Sequence, residues 1–165
     1  MIFSKTIFGQ YIEKYENKFF SKGLLSLDLE GVDTLGQDRN LYSIKSKYII
    51  VYFHDLECKH CMDFIPIFSS KYDSLKKLGY EFYGVLVNRS SLESGIINLK
   101  KCYQECKIRG YNVILKNTLP ITDTTKSGYY VFSTPQFNIL DSEKHFRAKQ
   151  LRSSEIFKGL KRIDP

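Results

Sequence analysis

Tryptophan is absent from the 165 residues, alanine occurs once (Ala148), and methionine occurs twice. Cysteine is scarce as well: four residues are too few for a small protein held together by a disulfide framework. No apolar run approaches the ~18 residues of a membrane span. The opening stretch, MIFSKTIFGQYIEKYENKFF, is interrupted by Lys, Gln and Glu and does not read as a secretory signal. What is present is the material of one folded domain, with 42% hydrophobic residues, 26% charged residues, 12 Tyr and 12 Phe. A chain of this length can bury about 70% of its unfolded surface, so it needs no staples. The net charge of +7 comes from scattered basic residues. The tightest groups are only Lys76-Lys77, Lys100-Lys101 and Lys161-Arg162. That pattern is a solvated surface and implies no nucleic-acid partner.

The scarce cysteines are the informative residues. They form two pairs, Cys58-Lys59-His60-Cys61 and Cys102-Tyr103-Gln104-Glu105-Cys106. The first pair suits either a redox dithiol or half of a metal site completed by the second pair. Upstream of it, Tyr48-Ile49-Ile50-Val51-Tyr52-Phe53 is an unbroken apolar run, as in a strand buried on both faces. After the turn His54–Glu57 a helix is expected, with Cys61, Ile65, Phe68, Tyr72 and Leu75 on one face, a kink at Pro66 and a stop at Gly79. The first pair then sits at a helix N-terminus, where unpaired N–H groups and the helix dipole stabilise a thiolate. A free thiol titrates near ~8.5, and such sites reach well below it. Cys58, the outer cysteine, is expected to be the nucleophile, and Cys61, one turn inward, the resolving thiol. His60 and Lys59 would favour the Cys58 thiolate, while Glu57 would oppose it.

Downstream, Glu81–Val87 reads as a second buried strand. Ser90 with Glu93 reads as a capping box opening a helix that turns Leu92, Ile96, Leu99, Tyr103 and Cys106 to one side. Asn112–Leu115 is a short third strand and 116–128 a loop. The run 129–141 looks like a strand but contains Pro135, a conflict that disappears if the paired ladder begins at that proline. His145–Lys149 reads as a hairpin strand, and a final helix begins at Ser153 with Ile156, Leu160 and Ile163 inward. Residues 1–22 repeat apolar residues every four positions and form a separate extension with helical spacing, ahead of a domain over 23–165.

This order of elements resembles the thioredoxin fold with a helix–strand insertion, and within it the TlpA-type thiol–disulfide oxidoreductases of Bacteroidetes. The residues that carry the likeness are Lys47–Phe53, Cys58-Lys59-His60-Cys61, Pro66, Tyr83–Val87, Ser133-Thr134-Pro135 and Ile139-Leu140-Asp141. The likeness extends over roughly residues 24–163, because Leu27–Leu41 resembles the leading β-hairpin of that family. It implies an α/β architecture with a central mixed sheet flanked by helices. It also implies a cis Thr134–Pro135 bond facing the dithiol, with Thr134 and Pro135 shaping the substrate-binding edge. The partners it implies are protein thiols and disulfides plus an upstream electron donor, with no cofactor and no bound metal. Such proteins work in the periplasm or tethered to its membrane face, which here would require a tether outside the chain. Two positions depart from the family: Glu57 replaces Trp or a small residue, and Phe64 replaces a Glu that relays protons, with Asp63 beside it.

Two other functions are compatible with such a chain. A peroxiredoxin-like peroxidase shares the scaffold but normally has Thr shortly before its reactive cysteine, where Leu56-Glu57 stand. A non-catalytic module would use the cysteines as a structural disulfide or zinc site. Cys106 is expected to pack inward with Cys102 at the border of the core. His54 and His145 are read as ordinary boundary or surface residues.

Overall fold

The computed structural model describes residues 23–87, 91–122 and 128–163. Its centre is a seven-stranded sheet: β1 (Glu30–Val32), β2 (Asp38–Asn40), β3 (Tyr48–His54), β4 (Tyr80–Leu86), β5 (Tyr111–Leu115), β6 (Gln136–Asp141) and β7 (Phe146–Leu151). The spatial order is β2-β1-β5-β4-β3-β6-β7. Strands β3, β4 and β5 run parallel, and the pairs β3–β6, β6–β7, β1–β5 and β1–β2 are antiparallel. This is a mixed α/β sheet of thioredoxin-like type with the leading hairpin in place. The helix expected over residues 1–22 lies outside the described residues.

Burial explains the composition of β3. Ile50 and Tyr52 face one core, with Phe68, Phe82 and Phe137, while Ile49, Val51 and Phe53 face another, with Tyr83, Val85 and Tyr129. A strand covered on both faces can be apolar throughout. The β3–β4 and β4–β5 crossovers carry α1 (Lys59–Ser69) and α3 (Leu92–Cys106). Right-handed connections between successive parallel strands put both helices on the same face, and Ile65 of α1 and Leu99 of α3 accordingly share one core. The opposite face is covered by loop segments and short helical turns instead, through Leu24, Leu27, Leu29, Leu41, Ile44, Ile121 and Val131.

Several local expectations are corrected. The helix after the dithiol is two helices, α1 and α2 (Tyr72–Lys77), rather than one kinked helix. α1 ends at Ser69: the Ser70 hydroxyl donates to the Ile67 carbonyl at 2.7 Å, and the Lys71 N–H turns to the Phe68 carbonyl at 3.0 Å, an i→i−3 bond that closes the helix. Gly79 does follow the last turn of α2, at φ +87°, where glycine is strongly preferred. The cap of α3 is Ser91, whose side chain accepts from the Ser94 N–H, and not Ser90. Cys102, not the border residue expected, is 1% exposed and lies inside the core beside Leu99, whereas Leu92 and Tyr103 are exposed. The packing expected of Cys106 falls outside the described side chains. Within 116–128 a short helix α4 (Leu119–Thr122) forms. Residues 129–135 are not strand, and the ladder starts at Gln136, directly after Pro135. The last strand runs to Leu151, and α5 (Ile156–Ile163) starts three residues later than expected.

Candidate active site

The site forms where β3 ends and α1 begins. Cys58 is the N-cap of α1, with φ −86° and ψ 102°, an extended conformation outside the helix. Its sulfur takes the position that a Ser or Asp oxygen takes in an ordinary cap. Cys58 Sγ accepts the Cys61 N–H at 3.2 Å, while the Cys58 carbonyl accepts from Met62 at 3.1 Å. Cys61 lies one turn further along and is buried with Ile65 and Phe68. Cys58 is half-buried and Cys61 fully buried, and both are free thiols.

The second wall comes from the segment that leads into β6, the strand next to β3. The Thr134–Pro135 peptide bond is cis, and the Thr134 carbonyl lies 3.3 Å from Cys58 Sγ, which donates to it as a thiol. Pro135 is buried and Thr134 half-buried. Antiparallel pairing of β6 with β3, Gln136 opposite Phe53, delivers this segment to the dithiol. Residues 76 positions apart in the chain therefore meet at one sulfur.

The two thiols have opposite electrostatics. Partial burial pushes Cys58 upward, but hydrogen bonds from the Cys61 thiol, the Thr134 side chain and the N–H groups of Cys61 and His60 outweigh it, so its pKa lies below the ordinary thiol value. Burial, reinforced by the hydrogen bond to Cys58, pushes Cys61 up to about 12, against opposing bonds from Thr134 and the Asp55 N–H. One thiol is poised to ionise and the other holds its proton.

Of the residues expected to tune Cys58, His60 supplies its backbone N–H, while its ring nitrogen Nε2 lies 2.7 Å from Ser153 Oγ. The Lys59 ammonium pairs with Asp63 at 2.9 Å on the exposed side of α1. Glu57 is exposed, with its N–H donating to Asp55 Oδ1 at 2.9 Å. Asp63, bound to Lys59, faces away from the side of the helix that buries Cys61. Phe64 packs among aromatic rings, 5.6 Å from Phe137 and 6.1 Å from Phe157.

Two placements go beyond the expectations from sequence. Thr134, expected only at the substrate edge, also lowers the pKa of both thiols. His54 is no boundary residue: it is 1% exposed, stacks on Tyr52 at 5.4 Å, and places Nδ1 3.8 Å from Cys102 Sγ. Its place in β3, alternating with Ile50 and Tyr52, was the available signal. Burial alone pushes its pKa down to about 4, so the imidazole is neutral. Among the described residues, no three His, Cys, Asp or Glu side chains converge on one point.

Comparison with known proteins follows the same lines. No curated protein matches the chain in sequence. A thiol:disulfide interchange protein from Bacteroides sp. is 26% identical, over 86% of this chain and 88% of its own, with a TM-score of 0.69. The thioredoxin domain of a thiol-disulfide oxidoreductase from Bacteroides vulgatus is 25% identical, over 87% and 98%, with a TM-score of 0.70. A domain of a possible thiol-disulfide isomerase from Cytophaga hutchinsonii is 25% identical, over 87% and 92%, at 0.67. The AhpC/TSA family matches residues 24–119, a span that holds β1 to β5 and both cysteines of the site. The chain thus belongs to the AhpC/TSA family, as an oxidoreductase of thioredoxin-like fold.

Proposed function

We propose that the chain exchanges electrons with protein disulfides through Cys58 and Cys61, in the reducing direction. The observation that carries this reading is the asymmetry of the pair: a half-buried sulfur capping a helix with its pKa lowered, and a buried partner with its pKa raised. The Cys58 thiolate attacks one sulfur of the partner disulfide. That S–S bond breaks, a mixed disulfide forms, and the first partner sulfur leaves as a thiolate that takes up a proton. Cys61 then gives up its proton and attacks Cys58 Sγ, closing Cys58–Cys61 and releasing the second partner sulfur, again as a thiolate that is protonated. Two electrons pass to the partner, and an upstream dithiol must return them before the next cycle.

Backbone N–H groups and Thr134 provide most of the thiolate stabilisation in this reading. The exposed side chains of Lys59 and Glu57 act weakly from a distance, because solvent screens them, and the His60 ring is turned to Ser153. Thr134 and Pro135 form the edge against which the partner segment lies. The likeness to the TlpA-type proteins supports a periplasmic or membrane-tethered location facing that compartment.

Insulin reduction driven by a small dithiol tests the proposal. Wild type should accelerate it, Cys58→Ser should abolish the acceleration, and Cys61→Ser should be slower than wild type, because only the small dithiol is left to release its mixed disulfide. Equal rates for wild type and Cys58→Ser would overturn the reading. Rapid consumption of hydrogen peroxide that needs Cys58 alone would favour a peroxidase instead.

A further inference from the structure

Residues 129–132, just before the Thr134–Pro135 bond, point alternately inward and outward. Tyr129 is buried, its hydroxyl donating to the Leu27 carbonyl at 3.1 Å and its N–H to the Pro120 carbonyl at 2.9 Å. Val131 packs on the second core, and its N–H donates to the Ile121 carbonyl at 2.8 Å. These anchors hold Tyr130 and Phe132 outward, 44% and 54% exposed, with ring centroids 6.1 Å apart. Tyr130 has φ +41°, a conformation that bulky L-residues rarely adopt. Its carbonyl accepts from Gln150 Nε2 at 3.4 Å, and Gln150 is itself at φ +56°.

Core packing accounts for Tyr129 and Val131 but not for two exposed rings on a strained backbone. Strain of this kind and exposed aromatic surface gather where a protein meets a ligand. The location supplies the ligand's identity. Phe132 precedes Thr134 by two residues, and the Thr134 carbonyl lies 3.3 Å from Cys58 Sγ. Two residues of chain reach at most roughly 7 Å, so Phe132 stays close to that contact. A segment whose cysteine reaches Cys58 therefore brings its neighbouring side chains over these rings. No residue from Gly128 to Pro135 carries a charge, so the surface matches an apolar or aromatic side chain rather than an ionised one.

We propose that Tyr130 and Phe132 form a specificity subsite for an apolar or aromatic side chain close to the reactive cysteine of an extended partner segment, an inference that rests on the disulfide-exchange reading of Cys58. The test uses two disulfide-linked peptide dimers, identical except for Leu or Ser two residues from the cysteine. Wild type should reduce the Leu peptide with kcat/KM roughly tenfold higher, the order that a small apolar pocket provides, and the difference should lie in KM. The double variant Tyr130→Ser, Phe132→Ser should bring the two peptides together, whereas Phe132→Leu should keep most of the preference. The ratio within each variant corrects for any general loss of active protein. Equal rates for the two peptides with wild type, or a preference that survives in the double variant, would overturn the subsite alone. A wild type that reduces neither peptide would overturn the disulfide-exchange reading and the subsite with it.

Discussion

Cys58 and Cys61 are separated by one helical turn, yet they differ in what each does with its proton. Cys58 gains more from hydrogen-bond donors than it loses by burial, and Cys61 is pushed up to about 12. The alkylation rate of Cys58 against pH should therefore have its midpoint below the ~8.5 of a free thiol. At pH 7, iodoacetamide should modify Cys58 roughly tenfold or more faster than Cys61 or Cys102, as read by peptide mass spectrometry. A lowered folded pKa also means that ionisation of Cys58 stabilises the reduced fold above the ordinary thiol pKa, and that this contribution disappears as pH falls through the lowered value. His54 provides a second check. Its pKa falls from 6.5 to about 4 on burial, so the stability tied to its neutral form is complete above pH 6.5 and lost as pH drops through 4. The shift corresponds to about 3 kcal/mol. Urea unfolding of wild type should lose that share between pH 6.5 and 4, and His54→Leu should lack that component.

At the scale of elements, the site depends on how closely β3, β4 and β5 approach. Tyr52 donates to Asn112 Oδ1 at 2.7 Å, passing over Gly84 on the strand between. A Cβ at Gly84 would lie 2.0 Å from Asn112 Oδ1 and 2.6 Å from the Tyr52 hydroxyl. Gly84→Ala should therefore lower stability by about 3 kcal/mol, since overpacking a filled core forces side chains off their rotamers. Ser91→Ala, which removes only the cap of α3, should cost about 1 kcal/mol. Chemical denaturation of both variants checks the contrast.

The same scale shows what was legible in the chain. The β3 run, the dithiol at a helix start and the ladder beginning at Pro135 could be read because each has a local pattern. Burial of Cys102 beside His54 could not, because it depends on which turn of α3 the crossover presses against the sheet. The split between α1 and α2 lies at Ser70 and Lys71, where i→i−3 bonds replace the helical ladder, and no periodicity in the apolar residues marks that point. Tyr130 and Phe132 were visible as an aromatic cluster, but their outward direction follows from contacts to Leu27, Pro120 and Ile121, remote in sequence.

Across the molecule, the sheet has unequal coverings: longer helices over the core that buries Cys61, and loops with short helical turns over the core that anchors Tyr129. Both cores and all seven strands draw, among the described residues, on the chain between Leu24 and Ile163. The central claim is that the first covalent bond to a partner is made by Cys58. It is tested most directly by mixing reduced Cys61→Ser with a protein that carries one disulfide and mapping the product by mass spectrometry. The account predicts one adduct, joined through Cys58 Sγ and released by dithiothreitol. An adduct that forms equally well with Cys58→Ser, or is joined through Cys102, would contradict it.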